Sequence, residues 1–300
     1  MKRTLVTGAA GFTGRYLVSL LASRGHEVHG LVQQAPDRPV NDLTMLHVGD
    51  LADGAAMRRL AAEVCPDYVI HLAAIAFVAH GDVEEMYRSN VLGTRQLLEA
   101  LAVVEKKPRS VVIASSANIY GNSRSDVVDE SMPPAPANDY GVTKVAGEYV
   151  ASIYRERLPI TIVRPFNYTG VGQGPEYLIP KIVRHVRDRA PTIELGNLDV
   201  ARDFSDVRDV VETYARLLET SAASGETYNM ASGQAISLHH LIDLTCELAG
   251  HRMTAITNPA FVRLNEVQKM CGSSAKLDQV LPNRPKIALR DTLQWMLETA

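Results

Sequence analysis

Three glycines near the start restrict the fold of this chain more than any other feature. Thr7-Gly8-Ala9-Ala10-Gly11-Phe12-Thr13-Gly14 follows the apolar run Thr4-Leu5-Val6 and opens a helical pattern, Tyr16-Leu17-Val18 through Leu20-Leu21. A strand that turns on glycines into a helix is the setting of a dinucleotide cradle. Gly8 lets the chain turn sharply, Gly11 lets the backbone approach a pyrophosphate, and Gly14 lets the helix pack close to the strand. The amides of Phe12, Thr13 and Gly14, unpaired at a helix start, would then face the anion. Glycines in such a turn can also serve packing alone; the β-α-β setting favours the cofactor.

The pattern that follows is that of an α/β protein. Runs at 28–32, 45–48, 68–72, 111–114 and 160–163 have strand length, and helical patterns fall near 12–24, 53–64, 84–104 and 140–157. Near-continuous apolar strands separated by helices predict a doubly wound parallel sheet buried on both faces, with ligands at the carboxyl ends of its strands. With 300 residues, 46% of them apolar, the chain can form one large domain and a smaller lobe. The character changes after Pro165, where Gly170, Gly172, Gly174 and Pro175 interrupt the alternation. Helices are expected at 177–189, 207–220 and 238–249 and from about 290, with strands at 193–195 and 228–230. Residues 1–166 are therefore read as the dinucleotide-binding domain, with elements near 204–231 returning to it. Residues 167–300 are read mainly as a smaller C-terminal substrate-binding lobe.

Other classes of function find little support. A net charge of −3 leaves no footprint for nucleic acid. No apolar run approaches the ~20 residues of a membrane span, and the N-terminus lacks a signal-peptide core. Cys65, Cys246 and Cys271 are isolated, and no HExxH pattern occurs among the nine histidines. A reduced, cytoplasmic protein without a metal site is expected.

Chemistry is concentrated around Tyr140-Gly141-Val142-Thr143-Lys144, which opens a helix after the proline-rich loop 133–139. Tyrosine and lysine at i and i+4 share one helical face. A lysine ammonium there is expected to lower the phenol's pKa and give a general acid/base near neutral pH. Ser115-Ser116 ends the strand at 111–114, and the Ser116 hydroxyl could bind the same substrate oxygen that Tyr140 protonates. Alone, a tyrosine and lysine so spaced could be a surface pair; beside a strand-end serine and a glycine cradle they form a candidate site.

TGAAGFTG, YGVTK, the serine pair before Ile119-Tyr120-Gly121, Gly49-Asp50-Leu51 and His71-Leu72-Ala73-Ala74 resemble an extended short-chain dehydrogenase/reductase of the kind acting on nucleotide-diphosphate sugars. The likeness runs essentially end to end and implies a Rossmann-type fold. It also implies that Asp50 and Leu51 meet the adenine, that Leu72, Ala73 and Ala74 line the cofactor, and that Lys144 also binds the nicotinamide ribose. From the residues alone, Asp50 could equally be a strand-end cap.

The second half, Arg164-Pro165-Phe166-Asn167 with Leu195-Gly196-Asn197 through Arg202-Asp203-Phe204, is similar to GDP-4-keto-6-deoxymannose reductases, neighbours of the GDP-mannose 4,6-dehydratases. The segment 262–267 resembles their late guanine-nucleotide segment. By this likeness Asn167, Lys181, Arg202 and Arg263 would hold the diphosphate and ribose, with Glu266 on the nucleotide. Arg forks and a Lys point charge suit a pyrophosphate, although Arg202 with Asp203 could be a local ion pair and Lys181 a solvated residue. Tyr168-Thr169 departs from the usual His-Ile.

Related dehydratases carry an Asp-Glu or Ser-Glu pair after the catalytic serine or threonine, where this chain has Ala117 and Asn118, which cannot act as acid and base. The cysteine of fucose-forming epimerase-reductases is also missing at Ala117. The expectation is an NAD(P)H-dependent ketoreductase of a nucleotide-diphosphate 4-keto-6-deoxyhexose. A sugar-nucleotide 4-epimerase, or a non-catalytic nucleotide sensor on the same scaffold, is the alternative. Strand 28–32 ends in Gln33-Gln34, without the acidic residue that would repel a 2′-phosphate, so NADP(H) is expected to serve at least as well as NAD(H). Val91, Leu97, Leu98, Leu101, Val145 and Val150 on helices 84–104 and 140–157 suggest a homodimer, the pairing that the resembling family makes through these helices.

Overall fold

The computed structural model describes residues 2–76, 82–122, 125, 127–262 and 267–299. Its centre is a sheet of seven parallel strands. Four of them are β1 (Lys2–Thr7), β2 (His26–Val32), β3 (Met45–Val48) and β4 (Tyr68–His71). The others are β5 (Ser110–Ala114), β6 (Ile160–Pro165) and β10 (Thr227–Met230). Across the sheet the order is β10-β6-β5-β4-β1-β2-β3, so the winding reverses between β1 and β4. A crevice opens at that switch point, outside the carboxyl ends of the strands. The late strand β10 pairs with β6 from Thr227 beside Ile162 to Met230 beside Pro165.

Helices cover both faces of this sheet. On one face α1 (Phe12–Ser23) and α7 (Val207–Glu219) pack Leu17, Val18, Leu21, Val210 and Tyr214 against Val6, Ile70 and Val112. On the other face lie α2 (Gly54–Val64), α4 (Thr94–Val103) and α5 (Asp139–Ile153), with Leu60, Leu97, Leu98, Leu101 and Ala151 against Leu5, Val69, Val111 and Ile162. Strand residues of alternate parity feed the two cores, hence the unbroken apolar runs. The apolar residues noted on two of these helices divide between their faces. Leu97, Leu98 and Leu101 are the sheet-facing stripe and are fully buried, while Val145 and Val150 pack partly against cores. The exposed apolar residues there are Leu92, just before α4, and Val103, Val142, Tyr149 and Ile153.

α4 follows α3 (Val83–Tyr87) through a π-helical turn, Arg88–Gly93. Such a turn inserts a residue into the helical ladder and frequently marks a functional site.

The remaining chain contributes shorter elements: β7 (Asn167–Thr169), α6 (Leu178–Arg187), β8 (Thr192–Leu195) and β9 (Ala201–Asp206). After β10 come β11 (Ala235–Ser237), α8 (Leu238–Leu248), β12 (Thr254–Thr257) and β13 (Lys269–Met270). Last are α9 (Ala275–Val280) and α10 (Leu289–Glu298). β9 lies between β11 and β13 and also pairs with β7, while β8 pairs with β12. Ile182, Val186, Leu241, Ile242, Leu293 and Met296 from α6, α8 and α10 form a separate core. Buried Asp203 on β9 ties these pieces together. Its carboxylate accepts from the amides of Ser232, Gly233 and Gly272 at 2.8, 3.0 and 3.2 Å.

Candidate active site

The glycine turn is shaped for an anion. Gly8 has φ +71°, and a Cβ there would stand 2.9 Å from the Ala73 amide nitrogen. A Cβ on Gly14 would lie 2.8 Å from Ala9 and closer still to the Gly8 carbonyl, so α1 rests directly on the turn. Gly11 differs. A Cβ there would meet only the Gly8 carbonyl, at 3.2 Å, and Gly11 caps α1 without any side-chain acceptor. The helix thus presents its first amides, Phe12, Thr13 and Gly14, to an open space, which fits a dinucleotide pyrophosphate.

The expected cofactor residues gather round this crevice. The Leu72 amide donates to the Thr7 carbonyl (3.3 Å) and that of Ala73 to the Thr7 hydroxyl (3.1 Å), which leads the segment through Ala74 past the turn. Asp50 takes the Ala52 amide at 2.8 Å, the local cap foreseen as its bland role, and also pairs with Arg88. Leu51 is buried beside Met57. At the end of β2, exposed Gln33 donates to Glu85 at 3.3 Å. Arg15 donates to the carbonyls of Ala10, Arg38 and Pro39, at 2.7–3.0 Å.

His71 shows how firmly the crevice floor is set. Thr94 donates to the Asn90 carbonyl (2.7 Å), so its oxygen accepts from His71 Nε2–H at 2.8 Å. His71 Nδ1 then accepts from Thr7 at 2.7 Å, in a buried chain that fixes a neutral ring. Burial pushes the His71 pKa down to about 3, and the nearby Lys144 charge adds to the effect.

Ser116, Tyr140 and Lys144 converge where expected. Ser116 caps the 3-10 turn Ala117–Tyr120 just after β5, and its oxygen accepts both the backbone and side-chain N–H of Asn118, each at 3.1 Å. Its own hydrogen is left to donate, and the hydroxyl acts to lower the pKa of the Tyr140 phenol. Asn138 caps α5 through the Gly141 amide at 2.8 Å, so Tyr140 stands in the first turn. Lys144 Nζ donates to the Ala114 carbonyl at 2.8 Å and lies 5.7 Å from the Tyr140 ring centroid. The expected lowering of the phenol pKa is not what this arrangement gives. Burial raises it, neighbouring Tyr168 adds to the rise, and Ser116 acts the other way. Burial in turn pulls Lys144 down to about 8, with Glu148 acting the other way.

Several residues that the sequence did not single out complete the site. Asn90, in the π-helical turn, accepts the Ile75 amide (2.8 Å) and donates to the Thr143 hydroxyl (3.0 Å), joining the strand-end loop to α5. Tyr168 stacks on Phe12 at 6.3 Å and hydrogen-bonds the Thr13 hydroxyl at 2.8 Å. The Asn-Val-Leu-Gly run around Asn90 has no period that marks it. Only the tyrosine's departure from His-Ile drew notice to position 168.

The expected substrate residues are more dispersed. Asn167 donates to the Asp203 carbonyl at 3.2 Å. Lys181 donates to the Glu194 carbonyl at 2.6 Å and lies 4.6 Å over the Phe261 ring. Arg202 donates to the carbonyls of Ala201 and Gln268, at 2.9 and 3.2 Å, and does not form the foreseen pair with Asp203, whose carboxylate is buried under the 232–233 and 272 amides. Arg263 and Glu266 lie outside the described residues.

Residues 5–296 match the family model for GDP-mannose 4,6 dehydratase. The chain belongs to the GDP-mannose 4,6-dehydratase family. Its sheet and cradle are those of the extended short-chain dehydrogenases/reductases, and it is a nicotinamide-dependent oxidoreductase. Within that family it is similar to a GDP-6-deoxy-D-talose 4-dehydrogenase of Aggregatibacter actinomycetemcomitans, with 34% identity over 94% of this chain and 92% of the relative. It is also similar to a GDP-6-deoxy-D-mannose reductase of Pseudomonas aeruginosa, with 32% identity over 99% and 96%. Among solved structures, a Burkholderia cenocepacia protein described only as a candidate epimerase has 46% identity, a TM-score of 0.93 and 99% and 97% coverage. The Pseudomonas aeruginosa RMD structure complexed with NADPH has 30% identity, a TM-score of 0.83 and 99% and 96% coverage.

Proposed function

We propose that this family member is an NAD(P)H-dependent reductase of a nucleotide-diphosphate 4-keto-6-deoxyhexose. The substrate is GDP-4-keto-6-deoxy-D-mannose, and the product is GDP-6-deoxy-mannose (rhamnose) or GDP-6-deoxy-talose, in deoxysugar biosynthesis. The observation that carries this reading is the convergence of Ser116, Tyr140 and Lys144 with no carboxylate at 117 or 118. Such a site can protonate one oxygen but has no acid–base pair for eliminating water. The names of the two curated relatives support the GDP-deoxyhexose class.

Gly8, Gly11, Phe12, Thr13 and Gly14 would hold the dinucleotide pyrophosphate, with Gln33, Asp50, Leu51, Leu72, Ala73 and Ala74 along the rest of the cofactor. When bound, the reduced nicotinamide supplies the hydride for the C4 carbonyl carbon. Tyr140, kept protonated by its burial, gives its proton to the carbonyl oxygen as negative charge develops there. Ser116 donates a hydrogen bond to that oxygen, because Asn118 already occupies its acceptor positions. Lys144 stabilises the phenolate left on Tyr140 and holds the ribose. Asn167, Lys181, Arg202, Arg263 and Glu266 would hold the nucleotide diphosphate. Residues 1–166 with 204–231 thus serve the cofactor, and 167–300 mainly the sugar nucleotide.

The exposed Leu92, Val103, Val142, Tyr149 and Ile153 support a homodimer formed through α4 and α5. Three free cysteines suit a cytoplasmic setting. The deciding experiment offers a panel of nucleotide-diphosphate 4-keto-6-deoxysugars with NADPH, follows nicotinamide absorbance and identifies the product. One equivalent of NADPH consumed per alcohol formed supports the reductase. A retained cofactor with inversion at C4 and no net oxidation would identify an epimerase, and no turnover of any sugar a nucleotide sensor.

A further inference from the structure

We propose that Tyr168 is a positioning residue for the cofactor: its hydroxyl donates to Thr13 and so leaves the Thr13 hydroxyl hydrogen to the dinucleotide pyrophosphate. The inference rests on the reading of the glycine turn as the anion site.

Three side chains from the start of α1 reach one short segment that follows β6. Phe12 stacks on the Tyr168 ring, with centroids 6.3 Å apart and planes 13° from parallel. Thr13 shares a hydrogen bond of 2.8 Å with the Tyr168 hydroxyl. Tyr16 donates its hydroxyl to the Val171 carbonyl at 2.7 Å and packs edge-on against Phe12 at 5.6 Å. The segment is itself braced. Gln173 donates to the Tyr168 carbonyl at 3.2 Å and accepts from the Thr169 hydroxyl at 2.7 Å. A Cβ on Gly170 would stand 2.5 Å from the Val207 side chain on α7, and β7 pairs Tyr168 with Ser205 of β9. The phenol is therefore brought to Thr13 by backbone that β9 and α7 hold in place.

Two hydroxyls that share one hydrogen bond have one hydrogen left over. Among the described residues neither the Thr13 nor the Tyr168 hydroxyl has a second hydrogen-bond partner, so that hydrogen has no acceptor in the protein. Thr13 lies in the first turn of α1, where the unpaired amides attract an anion. A phosphate oxygen there is an acceptor for the spare hydrogen if Thr13 is the residue that carries it. The chemistry favours that direction. A phenol is the more acidic of the two hydroxyls and the better donor, and burial pushes the Tyr168 pKa up, so the ring keeps its hydrogen to give. Thr13 Oγ1 then accepts from Tyr168 and donates to the pyrophosphate. Hydrogen bonds in series polarise one another, so the phenol strengthens the bond that Thr13 makes. Packing alone would be served as well by phenylalanine, which stacks on Phe12 without the hydroxyl.

The test is titration calorimetry with NADPH and with NADP+, with thermal unfolding of the free protein as the control for folding. Tyr168→Phe keeps the ring and removes only the hydroxyl. Its affinity for both redox forms should fall by about 2–12-fold, the range of one neutral hydrogen bond, because the pyrophosphate is common to both. Thr13→Val removes the hydroxyl that meets the anion, and its affinity should fall by roughly 10–150-fold, the range of a charge-assisted bond. Since Tyr168 acts through Thr13, the double variant should bind NADPH as weakly as Thr13→Val and no weaker. A residue that merely packs would give no such non-additivity. Should Tyr168→Phe not fold, Thr13→Val carries the test, and unchanged NADPH affinity in it would overturn the inference. So would unchanged affinity in folded Tyr168→Phe, additive losses in the double variant, or a loss for one redox form only, which would place Tyr168 at the nicotinamide. Failure of the wild-type protein to bind any nicotinamide dinucleotide would instead overturn the reading of the glycine turn.

Discussion

The three glycines of the cradle make separable demands, and alanine at two of them should separate them. At Gly14 an added Cβ would lie 2.8 Å from Ala9 and nearer still to the Gly8 carbonyl, both rigid backbone. Overpacking of this kind costs about 1–3 kcal/mol. Alanine's better helix propensity returns at most ~1 kcal/mol. The net loss, about 2 kcal/mol when the full overpacking cost is felt, corresponds to a Tm lower by about 4–8 °C in a chain of this size. At Gly11 the backbone is extended (φ −69°, ψ 169°) and the new methyl meets one carbonyl at 3.2 Å, so the fold should tolerate it, with a Tm change under about 2 °C. The methyl would, however, stand where the pyrophosphate approaches the first amides of α1. Losing one charge-assisted hydrogen bond costs about 1.5–3 kcal/mol, or roughly 10–150-fold in cofactor affinity. Differential scanning calorimetry gives the first quantity, and titration calorimetry with NADPH gives the second. Unchanged NADPH affinity in Gly11→Ala, with the protein fully folded, would refute the assignment of this turn as the anion site.

Other expectations follow from the same geometry. Tyr140→Phe should keep NADPH affinity within about twofold and cut turnover at least ~10²-fold, the scale of a positioned acid; steady-state kinetics with wild-type turnover would end the proposal. NADPH should be used at least as well as NADH, since Gln33 ends β2 without a carboxylate of its own. A hundredfold advantage in kcat/KM for NADH would show that Glu85, which Gln33 contacts, supplies the missing acid after all. Light scattering at micromolar concentration should report a dimer, and Tyr149→Glu together with Ile153→Glu should yield a monomer. Because burial holds His71 neutral down to about pH 3, its contribution to stability is complete above the unfolded value near 6.5 and is lost as pH falls towards 3. Denaturant unfolding should show stability declining by up to about 1.4 kcal/mol per pH unit over that window, and less steeply in His71→Gln.

The sequence by itself determined much of this protein. The parallel sheet was legible because strands buried on both faces read as unbroken apolar runs, and helices at 3.6-residue period alternate with them. The glycine cradle and the Tyr140–Lys144 pair were legible because each is a short-range device, whose parts lie within one turn of backbone. What spans the chain was not. Which apolar residues of α4 and α5 face outward depends on how each helix is rolled against the sheet, and only the packing shows that Leu97 and Leu101 face inward. The tuning of Tyr140 and Lys144 was hidden for the same reason. Burial raises the Tyr140 pKa and lowers that of Lys144, and burial is a property of everything packed around them. Glu148 lies four residues beyond Lys144, in plain sight as a helix-surface acid. Only β6, carrying Arg164 beneath α5, turns it into a buried carboxylate with a fixed direction. Asn90 shows the same limit, since the π-helical turn that aims it at Ile75 and Thr143 depends on contacts made 15 and 53 residues away.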